Sequence, residues 1–148
     1  MIGVKINAAK SMFFDRVVIS AVNRAEIKTL SKMGAFIRTS ARSSIRKRKA
    51  ASKPGSPPTN RTGLLKKFIF FGYDSGSNSV VAGPALLNAK SRGKAPGVLE
   101  FGGDITLPAG PKRKKPQTVE IEARPYMGPA LVANSPKFPS LWANTVKP

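Results

Sequence analysis

The chain has no cysteine and no histidine, and only 7 acidic residues stand against 26 lysines and arginines among 148. Without cysteine there is no disulfide framework, no thiolate nucleophile and no thiolate zinc site. Without histidine the commonest general base and the commonest metal ligand are missing, and a Ser–His catalytic pair cannot be built. Aromatic residues make up 7% of the chain, with a single tryptophan. No run approaches the roughly 20 apolar residues that a membrane-spanning helix needs. Asp15 and Arg16 interrupt the short apolar patch Met12–Phe14, so no export signal is expected. The expectation is a soluble protein made in a cytoplasm, with neither cofactor nor metal.

What is present is enough for one folded domain. A 41% hydrophobic fraction over 148 residues supports a single core, and residues 1–148 read as one unit. The net charge is +19 and the isoelectric point about 11.1, which calls for anionic partners: nucleic acid, acidic membrane or acidic protein. The excess is uneven, because the first 53 residues carry 13 basic and only 2 acidic side chains.

Periodicity assigns the elements. Val4 and Ile6 alternate with Lys5 and Asn7 as in an edge strand. From Ser11 to about Arg48 there is no proline and one glycine, Gly34, and apolar residues recur at helical spacing from Phe14 to Ile45. The stripe drifts around the helix, so its second half either meets a different neighbour or bends near Gly34. Fully helical, residues 14–48 would span roughly 50 Å, and the distal half with Arg38, Arg42 and the basic run is expected to project or to pack on another subunit. Prolines and glycines make residues 50–63 and 108–117 loops. Leu64–Tyr73 reads as a strand, or a helical turn leading into one, and Ser79–Ala82 pairs back across a turn at residues 74–78. Residues 84–97 read as a loop or a short helix around Ala85–Ala89, and a strand over Thr118–Ala123 and a short closing helix or coil over 130–146 complete an α+β pattern. The expected architecture is one long N-terminal helix on an antiparallel sheet of about four strands.

No catalytic site emerges, and the chain is not expected to be an enzyme. Glu120 and Glu122 are a carboxylate pair, but their spacing places both on the solvated face of a strand. Gly102-Gly103 lacks the strand-to-helix setting of a phosphate loop. Two basic groups, Arg42 with Arg46, Lys47, Arg48 and Lys49, and Lys112, Arg113, Lys114 and Lys115, are candidates for contact with DNA or an acidic partner. No aromatic residue is interleaved with them, so stacking on bases is not indicated. Used on a duplex they would bind without sequence preference and with strong salt dependence.

Three segments after the long helix carry a resemblance. They are Lys53-Pro54-Gly55-Ser56-Pro57-Pro58 leading to Thr62-Gly63-Leu64-Leu65-Lys66, then Val98-Leu99-Glu100-Phe101-Gly102-Gly103, then Ala123-Arg124-Pro125-Tyr126-Met127-Gly128-Pro129-Ala130-Leu131. In order and spacing they resemble the small neck or tail-completion proteins of tailed bacteriophages, over roughly residues 10–133. The chain departs from that family at Ala95-Pro96-Gly97, where an aromatic residue is usual. Gly102-Gly103 stands where Gly-Thr is common, and Gly128 where a basic residue is frequent. The resemblance implies a non-enzymatic virion protein of the head–tail connector, assembled in the host cytoplasm. It would form a homo-oligomeric ring, a hexamer first and a dodecamer second, between the portal or adaptor and the tail tube or tail terminator, letting genomic DNA pass. Stopper, neck and tail terminator all fit. The alternative is a standalone, sequence-independent nucleic-acid-binding protein. Apart from any family, Pro125 and Pro129 bracket Tyr126 and Met127 as a stiff hook, docking either within the molecule or on a second subunit. Glu100, in an apolar segment, calls for a partner, for which Arg124 is the expectation.

Overall fold

A stretch without proline becomes the longest element: helix α1 runs over Asp15–Ser44 in the computed structural model, which describes residues 15–85, 94–107, 109–110, 114–143 and 145. Short helix α2 (Leu64–Lys67) leads into strand β1 (Ile69–Asp74), which returns as β2 (Ser79–Pro84). Helix α3 (Lys94–Phe101) precedes β3 (Gly103–Leu107) and β4 (Gln117–Ile121). Helix α4 (Met127–Asn134) passes through a 3-10 turn, Ser135–Lys137, into α5 (Phe138–Trp142). The fold is α+β, as the pattern implies. Among the described residues four strands form two separate antiparallel hairpins, β1–β2 and β3–β4. The strand at Val4–Ile6 lies outside the described residues, as does most of the short helix expected at Ala85–Ala89.

Apart from Gly34, the buried positions of α1 fall on every fourth residue: Ala25, Thr29, Met33, Ile37, Ala41, and Ile45 just beyond its end. Four residues turn a helix by about 400°, so this stripe winds by about 40° per step. The drift brings α1 against α5 as well as β1, β2 and α4. Gly34 is a site of close approach: a Cβ there would stand 2.6 Å from Val80 Cγ2 and 2.9 Å from Phe71 Cδ2. The core is Ile37, Ala41, Ile45, Ile69, Tyr126 and Ala130, flanked by Leu65, Ala82, Leu99, Met127 and Phe138.

The half of α1 that projects is the opposite of the one expected. Ile37, Ala41 and Ile45 anchor the distal half, and Asn134 Nδ2 on α4 donates to Ser40 Oγ at 2.8 Å. Arg38 does not project either, since its Nε donates to the Ile69 carbonyl at 3.0 Å. The first turns instead expose Val17, Val18, Ile19 and Val22. Small residues at Ser40 and Ala41 let α4 come close to the distal half.

The helix also stops short of Arg48. The hydroxyls of Ser43 and Ser44 donate back to the Ser40 and Ala41 carbonyls, both at 2.8 Å, a local alternative to helical bonding. Arg46 then forms a parallel bridge with Thr59, and Asn60 N donates to Arg46 O at 3.0 Å. Pairing with the proline loop overrides the propensity of Arg46–Lys49 to extend the helix.

Candidate functional site

The three segments that carry the resemblance lie far apart in the chain and meet in one place. Gly55 N donates to Ala123 O at 2.8 Å and Arg124 N to Leu99 O at 2.6 Å. Pro58 is fully buried beneath the loop, Gly63 N donates to Asn60 Oδ1 at 2.9 Å, and Leu64 opens α2. Pro57 and Pro125 are half-buried, whereas Pro54 and Pro129 are exposed. At the end of α3 Gly102 takes φ 78°, and a Cβ there would press on Ala123 N at 3.2 Å and Ile121 O at 3.3 Å. A left-handed residue is the usual stop of a helix, and glycine takes it without steric cost.

At the junction Glu100 finds partners that the sequence did not indicate. Its Oε2 accepts from Tyr126 N at 2.9 Å and Met127 N at 3.0 Å, and its Oε1 from Gly128 N at 2.7 Å. The carboxylate thus closes three of the free N–H groups at the start of α4 and complements the positive end of that helix. Arg124, expected to pair with it, points elsewhere: its Nε donates to Ser52 O at 3.1 Å and its Nη1 to Glu122 O at 3.0 Å. Three backbone donors in one turn satisfy a carboxylate without an ion pair. Gly128 stands where a side chain would crowd this cap, its notional Cβ lying 3.2 Å from Glu100 Oε1.

Tyr126 is 1% exposed, so the proline-bracketed hook docks within the molecule. Burial first, and the Glu100 carboxylate second, push its phenol from 10.0 up to about 12. Folding therefore favours the neutral phenol. The stability this contributes is whole below pH 10 and is lost as pH rises toward about 12. The difference in unfolding free energy between the wild type and Tyr126→Phe, from urea melts at matched pH, is expected to stay constant up to pH 10 and then shrink. Lysine titration cancels in that difference. An unchanging difference up to pH 12 would mean that the phenol ionises as it does in the unfolded chain.

The basic candidates separate. Arg42 is half-buried on α1, and Arg46, Lys47, Arg48 and Lys49 are exposed on the segment that follows its end. Arg46 and Arg48 line a groove with Lys53, which the sequence did not single out. Lys114 and Lys115 are exposed, and Lys112 and Arg113 lie outside the described residues. Glu120 and Glu122 are solvated, as expected. Among the described residues no group of three or more Asp and Glu is placed to hold a metal ion, and no helix is long and apolar enough to cross a membrane.

Apolar surface is the other notable feature. Phe101 is 84% exposed and Val132 71%. Phe101 and Leu131 border a groove of about 310 Å³, with Met127, Val80 and Ala82 along it. The sequence pattern set the long helix against a sheet, but only the packed structure shows which of its turns stay uncovered. Comparison with known protein families, curated proteins and solved structures returned no match.

Proposed function

We propose that the chain is a structural protein of a tailed-phage head–tail connector, a neck or tail-completion subunit that works in a homo-oligomeric ring. The observation that carries this reading is the uncovered apolar surface on a strongly cationic chain. Val17, Val18, Ile19, Val22 and Ile27 on α1 are all exposed, as are Phe101, Leu131 and Val132 around α3 and α4. Apolar surface of this kind marks contact with other macromolecules; on α1 it spans about three turns, with Val18 and Val22 one turn apart on one ridge. Among the described residues both hairpins have edges that pair with no further strand, further sites for joining subunits. The meeting of the three motif segments adds support, since they act together as one structural unit.

The test is composition of particles. Purified virions of a phage carrying this gene are expected to contain the chain in whole-number ratio to the portal ring. Replacing both Val18 and Val22 by serine is expected to leave stability within about 0.5 kcal/mol, as for other surface changes, while incorporation into particles falls severalfold. Full incorporation of the double variant would remove the ridge from the assembly contacts, and absence of the chain from particles would end the connector reading. The second reading, a standalone nucleic-acid binder, draws on the net charge of +19. It predicts a monomer that ignores neck proteins, and native mass spectrometry with those proteins separates the two.

A further inference from the structure

We propose that the groove between the end of α1 and the Pro54–Pro58 loop is a seat for the phosphate backbone of duplex DNA. This goes beyond the connector reading, because the groove belongs to one subunit whether or not a ring forms. It encloses about 1000 Å³ and is lined by Arg46, Arg48 and Lys53, by hydroxyls including Ser43 and Ser56, and by no acidic residue. Arg46 is in extended conformation, so side chains alternate. Arg46 and Arg48 both face the groove, whereas Lys47 and Lys49 do not line it. Two residues of extended chain advance about 6.6 Å, a step comparable to that between successive phosphates along one strand. Each guanidinium can then hold its phosphate through two parallel N–H bonds.

The backbone beneath these cations is already fixed. Asn60 N donates to Arg46 O at 3.0 Å, Thr59 Oγ1 to Ala50 O at 2.9 Å, and Gly55 N to Ala123 O at 2.8 Å. The proline loop loses little further freedom on binding. Groove chemistry selects the ligand class. No aromatic or large aliphatic side chain lines it, so of the residues that commonly anchor a protein partner only arginine is present. Asn and Gln are also missing from its walls, so adenine edges lack their usual amide partner, and without an aromatic side chain bases are not stacked. What remains, cations and hydroxyls, suits phosphate contacts that position a duplex without reading it.

A chain of net charge +19 attracts any polyanion, so the test is one of location. The variant Arg46→Gln/Arg48→Gln/Lys53→Gln is compared with Lys28→Gln/Lys32→Gln/Lys137→Gln, which removes the same charge from exposed positions outside the groove. Binding of a fluorescent random-sequence duplex is followed by anisotropy over a salt series. At about 0.9 per phosphate contact, the groove variant is expected to lower the salt slope by about 2.7. It should bind at least tenfold more weakly than the charge-matched control. Should it melt before titration, Arg48→Gln alone, which leaves the pinning bonds in place, is expected to lower the slope by about 0.9. Equal behaviour of groove and control variants would overturn the proposal. So would polyglutamate displacing the labelled duplex as well as unlabelled duplex does at matched charge, which would assign the groove to an acidic protein. A lost slope in the groove variant together with full incorporation into particles separates this inference from the connector reading.

Discussion

Glu100→Ala is expected to lower the unfolding free energy by about 2–4 kcal/mol, from three hydrogen bonds to a charged acceptor and their interaction with the helix end. For a chain of this size that is a fall of roughly 6–12 °C in melting temperature. The size follows from what is left behind. Tyr126 N, Met127 N and Gly128 N all lose their acceptor at once, and Tyr126 is buried where water does not easily replace it. Glu100→Gln keeps one carbonyl oxygen without the charge, so about half the loss is expected. Urea and thermal melts measure both. A loss under about 1 kcal/mol for the alanine variant would mean that α4 starts equally well without its cap. Because the Arg124 side chain is bonded to Ser52 and Glu122 carbonyls, a double-mutant cycle between positions 100 and 124 is expected to be close to additive. A coupling of ion-pair size would restore the pairing that charge alone suggests.

The second large effect has a sign opposite to that of helix propensity. Alanine in place of glycine inside a helix should stabilise by about 1 kcal/mol. At Gly34 the new methyl would sit 2.6 Å from Val80 Cγ2, 2.9 Å from Phe71 Cδ2 and 3.2 Å from Phe71 Cβ. The valine methyl can rotate away, but Phe71 Cβ is fixed to the strand, so the β1–β2 hairpin must lift from α1. Overpacking of this kind costs about 1–3 kcal/mol, and net destabilisation is the expected result. Gly34→Val, with two more carbons in the same gap, is expected to cost more than Gly34→Ala. A stabilised Gly34→Ala protein would show that the hairpin adjusts freely. The measurement is a urea midpoint with unchanged slope, which isolates stability from any change in compactness.

Much of the fold was legible in the chain because its signals are local. The proline-free stretch with helical spacing names α1, the alternation at residues 118–123 names β4, and Asp74-Ser75-Gly76 names the turn. There Asp74 Oδ1 accepts from Gly76 N at 3.0 Å and Oδ2 from Ser77 Oγ at 2.7 Å. Those two bonds, the Ser77 hydroxyl first, hold the Asp74 carboxyl below its ordinary 3.8. Strand β3 was missed. It is five residues that follow α3 after the single residue Gly102, and the glycine pair that marks the helix stop also hides the strand start. Strands β1, β2 and β4 were visible as strands, and β1–β2 as a hairpin, but the partner of β4 was not, since a strand's own alternation does not say which neighbour it pairs with.

Taken alone, the order of residues determined the α+β class, the long helix, the turns, the cationic character and the absence of thiol and imidazole chemistry. All of these are settled by composition or by contacts within a few positions along the chain. Tertiary structure decided what Glu100 holds, where α1 stops, which of its halves stays uncovered, and that Arg46, Arg48 and Lys53 share one groove. The Glu100 bonds span 26–28 positions and the bond from Arg124 to Ser52 spans 72. Choice of partner at such separations depends on which distant donors and apolar faces the core brings together, and no local propensity encodes that.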